Sequence, residues 1–319
     1  MNKRRFGNTT PDVGEIGMGC RAVGGNAHGN SYGPTDDETS LAAIKKSLDA
    51  GCAFFDTADH FGHGHSEEIL GRALQGVRDR VFIATTVGID FYSARGTRNF
   101  TPLYIGFALN KSLGRLQTDY IDLYILQNPT LRMLQRGDLL EHMGAHREIG
   151  QIRRYGVSVS SPETALAALE AGPPDALQLT YNIFESEGWD NVFTTAREKG
   201  CAIIAREPLA GGYLAGKFGG DEDFPEGDIR ASMPPEQKQA RAATAAKLKE
   251  VLEIPEKRTA AQAAIRFALI PEAVTVAIPG AKTPEQAGEN LLASDCPALT
   301  EDDLEAISKI LAEQSQRQK

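Results

Sequence analysis

Ala53–Glu68 reads AFFDTADHFGHGHSEE. An apolar run, Ala53-Phe54-Phe55, breaks into polar residues at Asp56. A Gly- and His-rich loop follows, and a helical pattern begins near Ser66. This is a strand, a loop and a helix, with Asp56 at the carboxyl end of the strand. In α/β barrels and open α/β sheets the loops at that end carry the chemistry.

Working outward, the same unit recurs. Strands are predicted at Val81–Thr85, Ile121–Leu126, Ile152–Val157, Ala176–Leu179, Cys201–Ala205 and Val274–Ile278. Between them lie helical patterns opened by Thr101-Pro102, by Ser161-Pro162 and by Thr283-Pro284, each a capping residue followed by a proline suited to the first turn. Further helices are predicted over 136–150, 190–199, 236–252 and 259–269. Strand–helix alternation at this spacing builds a parallel sheet with right-handed crossovers. Eight units in one chain favour a closed (β/α)8 TIM barrel as a single domain over 1–319, with the eighth strand expected near Leu291–Ser294. Residues 3–18 alternate and turn as an N-terminal β-hairpin would, covering one end of the barrel. Residues 206–235, rich in Gly, Asp and Pro, form a long loop after strand 6, and a loop of that length is usually functional. The tail Glu313–Lys319 is expected to fray.

Bulk properties narrow the function. A net charge of −9 without a Lys/Arg cluster argues against a nucleic-acid partner. No apolar run reaches membrane-spanning length, and the N-terminus lacks a signal-like apolar region. Cys20, Cys52, Cys201 and Cys296 are widely spaced, which predicts free thiols in the reducing cytoplasm rather than a metal or disulfide framework. His60, His63 and His65 with Glu67 resemble a metal cluster only superficially, and no metal is expected.

The strongest local signal for a ligand is Ala277–Asn290, AIPGAKTPEQAGEN. A helix N-terminus offers unpaired N–H groups and partial positive charge to a phosphate. Lys282 adds a full charge there. Gln286 and Asn290, four residues apart, share a helical face suited to a planar heterocycle. A well-capped helix beside a solvated lysine is the alternative reading of the same residues.

Taken together, FFDTAD, GHSEEILGRAL, VFIAT, TDYIDLYIL, YGVSVSSPE, AREPLAGGYLAGK and AIPGAKTPEQAGEN resemble the aldo-keto reductase superfamily, in its order and spacing and over nearly the whole chain. The resemblance implies a (β/α)8 barrel that binds NADP(H) across the carboxyl ends of its strands. It implies that Lys282 holds the 2′-phosphate, with Gln286, Glu289 and Asn290 on the adenine side. Pro208, Leu209, Gly211 and Lys217 would form the pyrophosphate loop, and Ser158 and Gln178 would hold the nicotinamide carboxamide. Arg206, Ile278 and Gly280 complete the expected cofactor side. Val159 departs from the asparagine usual in the family, which removes one carboxamide contact.

The resemblance fails at the chemistry. The family reduces carbonyls with an Asp, Tyr, Lys and His tetrad. Here the matching positions are Asp56, Phe61, Thr86 and Gln127. Phe61 has no proton to give, Thr86 no charge to lower a neighbour's pKa, and Gln127 cannot titrate. Ordinary carbonyl reduction is therefore expected to be poor. Asp56, without its lysine, must either rise in pKa or meet another cation, for which Arg21 is the candidate. His28, Tyr32, His60, Tyr92 and Arg206 are further candidates near the mouth, each readable also as a packed loop residue. Arg21 and Arg206 together would favour an anionic or polar-conjugated small-molecule substrate. The expected function is an NADP(H)-dependent oxidoreductase acting on an iminium ion, a conjugated alkene or a specialised carbonyl. The alternatives are a redox-neutral isomerase, lyase or cyclase and a non-catalytic NADP(H)-binding protein. Monomer or small homo-oligomer is the expected state.

Overall fold

A computed structural model describes residues 1–29, 31–93 and 96–317. The chain opens with an antiparallel hairpin, β1 (Lys3–Phe6) and β2 (Thr9–Gly14). The barrel strands begin with β3 (Met18–Gly19), β4 (Phe54–Ala58) and β5 (Phe82–Val87). A short antiparallel pair, β6 (Ile89–Asp90) and β7 (Thr97–Arg98), is inserted next. The barrel then continues through β8 (Leu123–Gln127), β9 (Tyr155–Val159), β10 (Ala176–Thr180), β11 (Ala202–Arg206) and β12 (Val274–Ile278). Eight strands lie side by side in parallel, in sequence order. The two edges close on each other, with Gly17 N–H donating to the Ala277 carbonyl at 2.8 Å and Gly19 N–H to the Pro279 carbonyl at 3.0 Å. The fold is a (β/α)8 barrel.

The helices are α1 (Asp37–Asp49), α2 (His65–Ala73), α3 (Pro102–Leu116), α4 (Leu131–Gln135), α5 (Asp138–Glu148), α6 (Pro162–Ala171), α7 (Asp190–Lys199), α8 (Pro235–Leu252), α9 (Ala260–Ala268), α10 (Pro284–Leu292) and α11 (Glu301–Arg317). The expected caps form: Thr101, Ser161 and Thr283 each accept a backbone N–H from the first turn they precede. Among the described residues, no helix is long and apolar enough to cross a membrane.

Alternation along each strand sorts side chains between two layers. Phe55, Ile83 and Tyr124 face the helices, whereas Phe54, Phe82, Ala84, Leu123, Ile125, Ala202, Ile204 and Val276 fill the barrel. The hairpin seals the barrel's amino-terminal end. Phe6 packs against Phe54 and Phe82, with ring centroids 6.3 and 5.0 Å away, and Phe54 stacks on Phe82 at 5.0 Å. Such aromatic pairs contribute about 0.5–1.5 kcal/mol each beyond their buried area. One end of the barrel is thus plugged, and only the carboxyl end is open to a ligand.

Four expectations are corrected. The eighth strand is not at Leu291–Ser294, where α10 ends. Seven strands were legible, and the missing one is β3, too short to show a pattern. The long loop consequently follows the seventh barrel strand, β11, and it contains a 3-10 turn, Ala210–Ala215. The single helix expected over 136–150 is two, α4 and α5, separated at Gly137 in the left-handed region at φ 78°. The tail is helical to Arg317 as part of α11, and its last two residues lie outside those described.

Candidate active site

An inward position near the carboxyl end of seven barrel strands lines one small cavity of about 70 Å³. These residues are Asp56, Thr86, Gln127, Ser158, Gln178, Arg206 and Ile278. The period-two pattern places them there, because each lies two residues beyond a barrel-filling neighbour such as Phe54, Ala84, Ile125 or Ile204. Gly19 at the end of β3, with Arg21, Tyr32, Phe61, Glu207 and Gly280 from the loops, supplies the rest of the wall. Phe61 reaches the cavity on a 3-10 turn, Phe61–Gly64, that lies directly against the preceding loop. Gly62 has φ 60°, and a Cβ there would strike the Gly24 carbonyl, so only glycine permits this approach.

Asp56 is buried and has no lysine beside it. Gln178 Nε2 donates to its Oδ1 at 2.6 Å. Burial raises its carboxyl to about 7, and the Gln178 hydrogen bond, then Arg21 and Arg206, pull it part of the way back. Of the two outcomes foreseen for this carboxyl, burial prevails. The expected Arg21–Asp56 ion pair is not made, and the guanidinium instead lies 4.9 Å over the Phe61 ring. Arg206 pairs with Glu207 at 2.7 Å. Arg21 therefore has no carboxylate partner among the described residues, and Asp56, raised to about 7, opposes its charge less than an ordinary aspartate would.

A second cavity of about 310 Å³ adjoins the first and shares Tyr32, Glu207 and Gly280 with it. Pro208, Leu209, Gly211, Lys217, Lys282, Gln286, Glu289 and Asn290 all line it. Their local bonds refine the sequence reading. Asn290 Nδ2 donates to the Gly280 carbonyl at 3.1 Å, and Gln286 Oε1 accepts the Lys282 N–H at 2.8 Å, so both amides brace the loop before α10. Glu289 accepts from Thr259 at 2.9 Å and lies 3.8 Å from Lys217. Among the described residues, Lys282 Nζ bonds only an uncharged partner, the Tyr32 carbonyl, at 3.0 Å.

Among the wall residues that sequence reasoning missed, three carry charge or an aromatic ring: Glu207, Arg230 and Phe218. Glu207 borders both cavities in the left-handed region at φ 57°, with its carbonyl held by buried Asn182 at 3.1 Å. Arg230 is clamped by Asp228 at 2.6 Å and bonds the Tyr32 and Gly211 carbonyls. Phe218 packs beneath it, with the guanidinium 5.2 Å from the ring centre. The only available signals were a charge at a strand end and a lone Asp228-Ile229-Arg230 in a Gly/Pro-rich loop.

Other mouth candidates lie apart from the cavity. Tyr92 accepts from Arg115 at 2.8 Å, and His28 stacks on His63 at 4.3 Å. His65 bonds Asp37, while Glu67 is held by Arg115 and Thr85. Val159 is buried among residues of the outer layer. His60 lies behind Phe61, edge-on at 4.8 Å, and burial lowers its pKa to about 3.

Beside His60, Asp59 is buried with neither carboxyl oxygen hydrogen-bonded, and burial raises it to about 8. A carboxyl raised on folding gives stability that is complete below its unfolded value, about 4, and lost as pH climbs through the folded one. Asp59→Asn cannot ionise, so it should gain on the wild type by on the order of 1 kcal/mol per pH unit between about pH 6 and 7.5. Urea unfolding at several pH values checks this, and a pH-independent difference would show Asp59 already ionised in the fold.

Comparison with known proteins adds the following. A model described as the Aldo/keto reductase family matches residues 16–312. The aldo-keto reductase yakc of Schizosaccharomyces pombe, whose name specifies NADP(+), is 35% identical over 246 residues, spanning 74% of this chain and 69% of its own. The aldo-keto reductase YhdN of Bacillus subtilis is 32% identical over 242 residues, 75% of this chain and 71% of its own. Among solved structures, glycerol dehydrogenase AKR11B4 from Gluconobacter oxydans superposes with a TM-score of 0.82 at 27% identity, covering 98% of this chain and 95% of its own. The holo form of aldo-keto reductase AKR11C1 from Bacillus halodurans gives 0.78 at 28% identity, covering 97% and 96%.

Proposed function

Because the chain belongs to the aldo/keto reductase family of oxidoreductases, we propose that it acts with NADP(H) on a small substrate that carries an anionic or polar-conjugated group and whose reactive bond is that of an iminium, a conjugated alkene or a specialised carbonyl. The observation that carries this reading is the adjacency of the two cavities, whose shared walls of Tyr32, Glu207 and Gly280 suit one extended ligand lying between Lys282 and the Asp56 floor.

The residues fit such a cofactor. Ser158 Oγ is buried without a hydrogen-bond partner, and a carboxamide would satisfy it. Gln178 spends its N–H on Asp56, which leaves its carbonyl to accept an amide N–H. Gly211 and Gly212, at φ 68° and 95°, let the backbone turn beneath a pyrophosphate. Lys282 would meet the 2′-phosphate, and the NADP(+) in the name of the yakc relative is consistent with that choice. When bound, the reduced nicotinamide supplies a hydride. Arg21 attracts and orients an anionic substrate above Phe61, because its charge is not cancelled by a carboxylate.

Wild-type protein should quench or shift NADPH fluorescence at micromolar concentration and bind NADH more weakly. It should then consume the reduced nicotinamide with at least one carboxylated aldehyde, iminium salt or enone in a panel. If neither dinucleotide binds, the proposal is wrong.

A further inference from the structure

Resting on the proposed hydride transfer, we propose that Tyr32 is the proton donor of this site, standing in from the first βα loop for the hydroxyl that Phe61 lacks, with Arg21 taking the part of the missing lysine. Tyr32 lines the reaction cavity and the dinucleotide groove at once. Its main chain is fixed: the carbonyl accepts from Lys282 at 3.0 Å and from Arg230 at 3.2 Å. The adjacent Ser31 pairs on both sides with the long loop, its N–H donating to Gly227 and its carbonyl accepting from Ile229. The Arg230 guanidinium lies 5.3 Å from the Tyr32 ring centre. The hydroxyl, by contrast, has no hydrogen-bond partner among the described residues, and the reaction cavity that Tyr32 lines contains no other phenol, imidazole or amine.

The groups around it set its proton affinity. Burial raises the phenol to about 12 and Glu207 adds to this, while Arg21, Arg230 and Arg206 oppose it. A phenolate formed here would therefore be faced by cations, which is the role a lysine plays beside an acidic tyrosine. Thr86 and Ser158 are aliphatic alcohols and Gln127 and Gln178 are amides, all poorer donors, so the one rival is Asp56, whose Oδ1 is engaged by Gln178 and which the variants below separate from Tyr32.

In a carbonyl reduction the step balances as follows. The hydride with its electron pair comes from a reduced nicotinamide dinucleotide and forms the new C–H bond. The C=O π bond opens, the Tyr32 O–H bond breaks, and that proton forms the new O–H bond. Water entering through the mouth then reprotonates the phenolate.

Two measurements test this on the full-length protein. In cofactor-free samples carrying ring-labelled tyrosine, the carbon resonance lost in Tyr32→Phe identifies Tyr32. Its titration should move to higher pH in Arg21→Ala, and an unmoved titration overturns the assignment. With NADPH and para-carboxybenzaldehyde, Tyr32→Phe should lose about 10²–10³-fold in kcat while its NADPH affinity stays within about twofold. A Tyr32→Phe variant that keeps its rate while Asp56→Asn loses it makes Asp56 the donor and overturns the proposal. So does a wild type that binds NADPH but leaves the aldehyde untouched. Failure of wild type to bind NADPH is a different result, because it removes the underlying function rather than the choice of donor.

Discussion

Phe61→Tyr combined with Thr86→Lys is expected to raise reduction of an uncharged aromatic aldehyde by about 10²–10⁴-fold, the usual range for a positioned general acid. Both positions line the cavity that Asp56 floors. Thr86 tops β5, the strand hydrogen-bonded to β4, in which Asp56 sits. A lysine there would meet a carboxyl that burial now holds near 7. An ion pair would return Asp56 to the carboxylate form, and the ammonium would in turn acidify a hydroxyl on ring 61. Neither substitution should suffice alone. Phe61→Tyr adds a phenol whose closest cation is Arg21, 4.9 Å from the ring centre, and Thr86→Lys adds a charge with no phenol beside it. The gain should therefore be strongly non-additive, as expected for groups that act as a unit. The same pair should also rescue Tyr32→Phe, because it supplies a donor from the other loop. A doubly substituted protein that binds NADPH as well as wild type yet reduces the aldehyde no faster would show that these side chains do not meet above Asp56.

The floor of the site was legible through the resemblance, which assigned Asp56, Thr86, Gln127, Ser158 and Gln178 to it from their places beside the strand motifs. Strand alternation is the physical reason they meet: with Phe54 and Ala84 inward, Asp56 and Thr86 are inward too. The helix caps were legible directly, since Thr or Ser before Pro carries its structural meaning within four residues. The walls were not. The Gln178–Asp56 hydrogen bond joins residues 122 apart across the barrel, and no local pattern foreshadows it. Glu207 and Arg230 lie in loop segments whose conformations depend on partners such as Asn182 and Asp228. The strand β3, two residues long, exists only because its neighbours β4 and β12 template it, so it has no apolar run of its own. Arg21 shows the limit most clearly. Its nearness to Asp56 was readable, but whether it would pair with the carboxylate or lie over the Phe61 ring depended on the balance between desolvation and Coulomb attraction in the folded site.

Lys282→Ala should weaken NADPH binding by about 10–150-fold, the equivalent of the roughly 1.5–3 kcal/mol carried by a hydrogen bond to a charged group, and should leave NADH within about twofold. The charges around the groove explain why one lysine should matter so much. Arg230 is already neutralised by Asp228 at 2.6 Å, and Lys217 has Glu289 at 3.8 Å. Glu207 adds a carboxylate to the same wall, answered by Arg206. Of the basic residues lining this groove, Lys282 alone lacks a carboxylate within ion-pair distance among the described residues, and its ammonium rests on a neutral carbonyl that a phosphate oxygen could outcompete. Burial, with Arg230 nearby, lowers its pKa from the usual lysine range, so an arriving phosphate would also restore the preference for the charged form. Affinity for NADPH should accordingly fall with added salt more steeply than affinity for NADH. Parallel fluorescence titrations of both dinucleotides, at low and high ionic strength, measure the two effects together. Equal losses for NADPH and NADH would mean that Lys282 shapes the groove without reading the phosphate, and no loss for either would place the dinucleotide elsewhere.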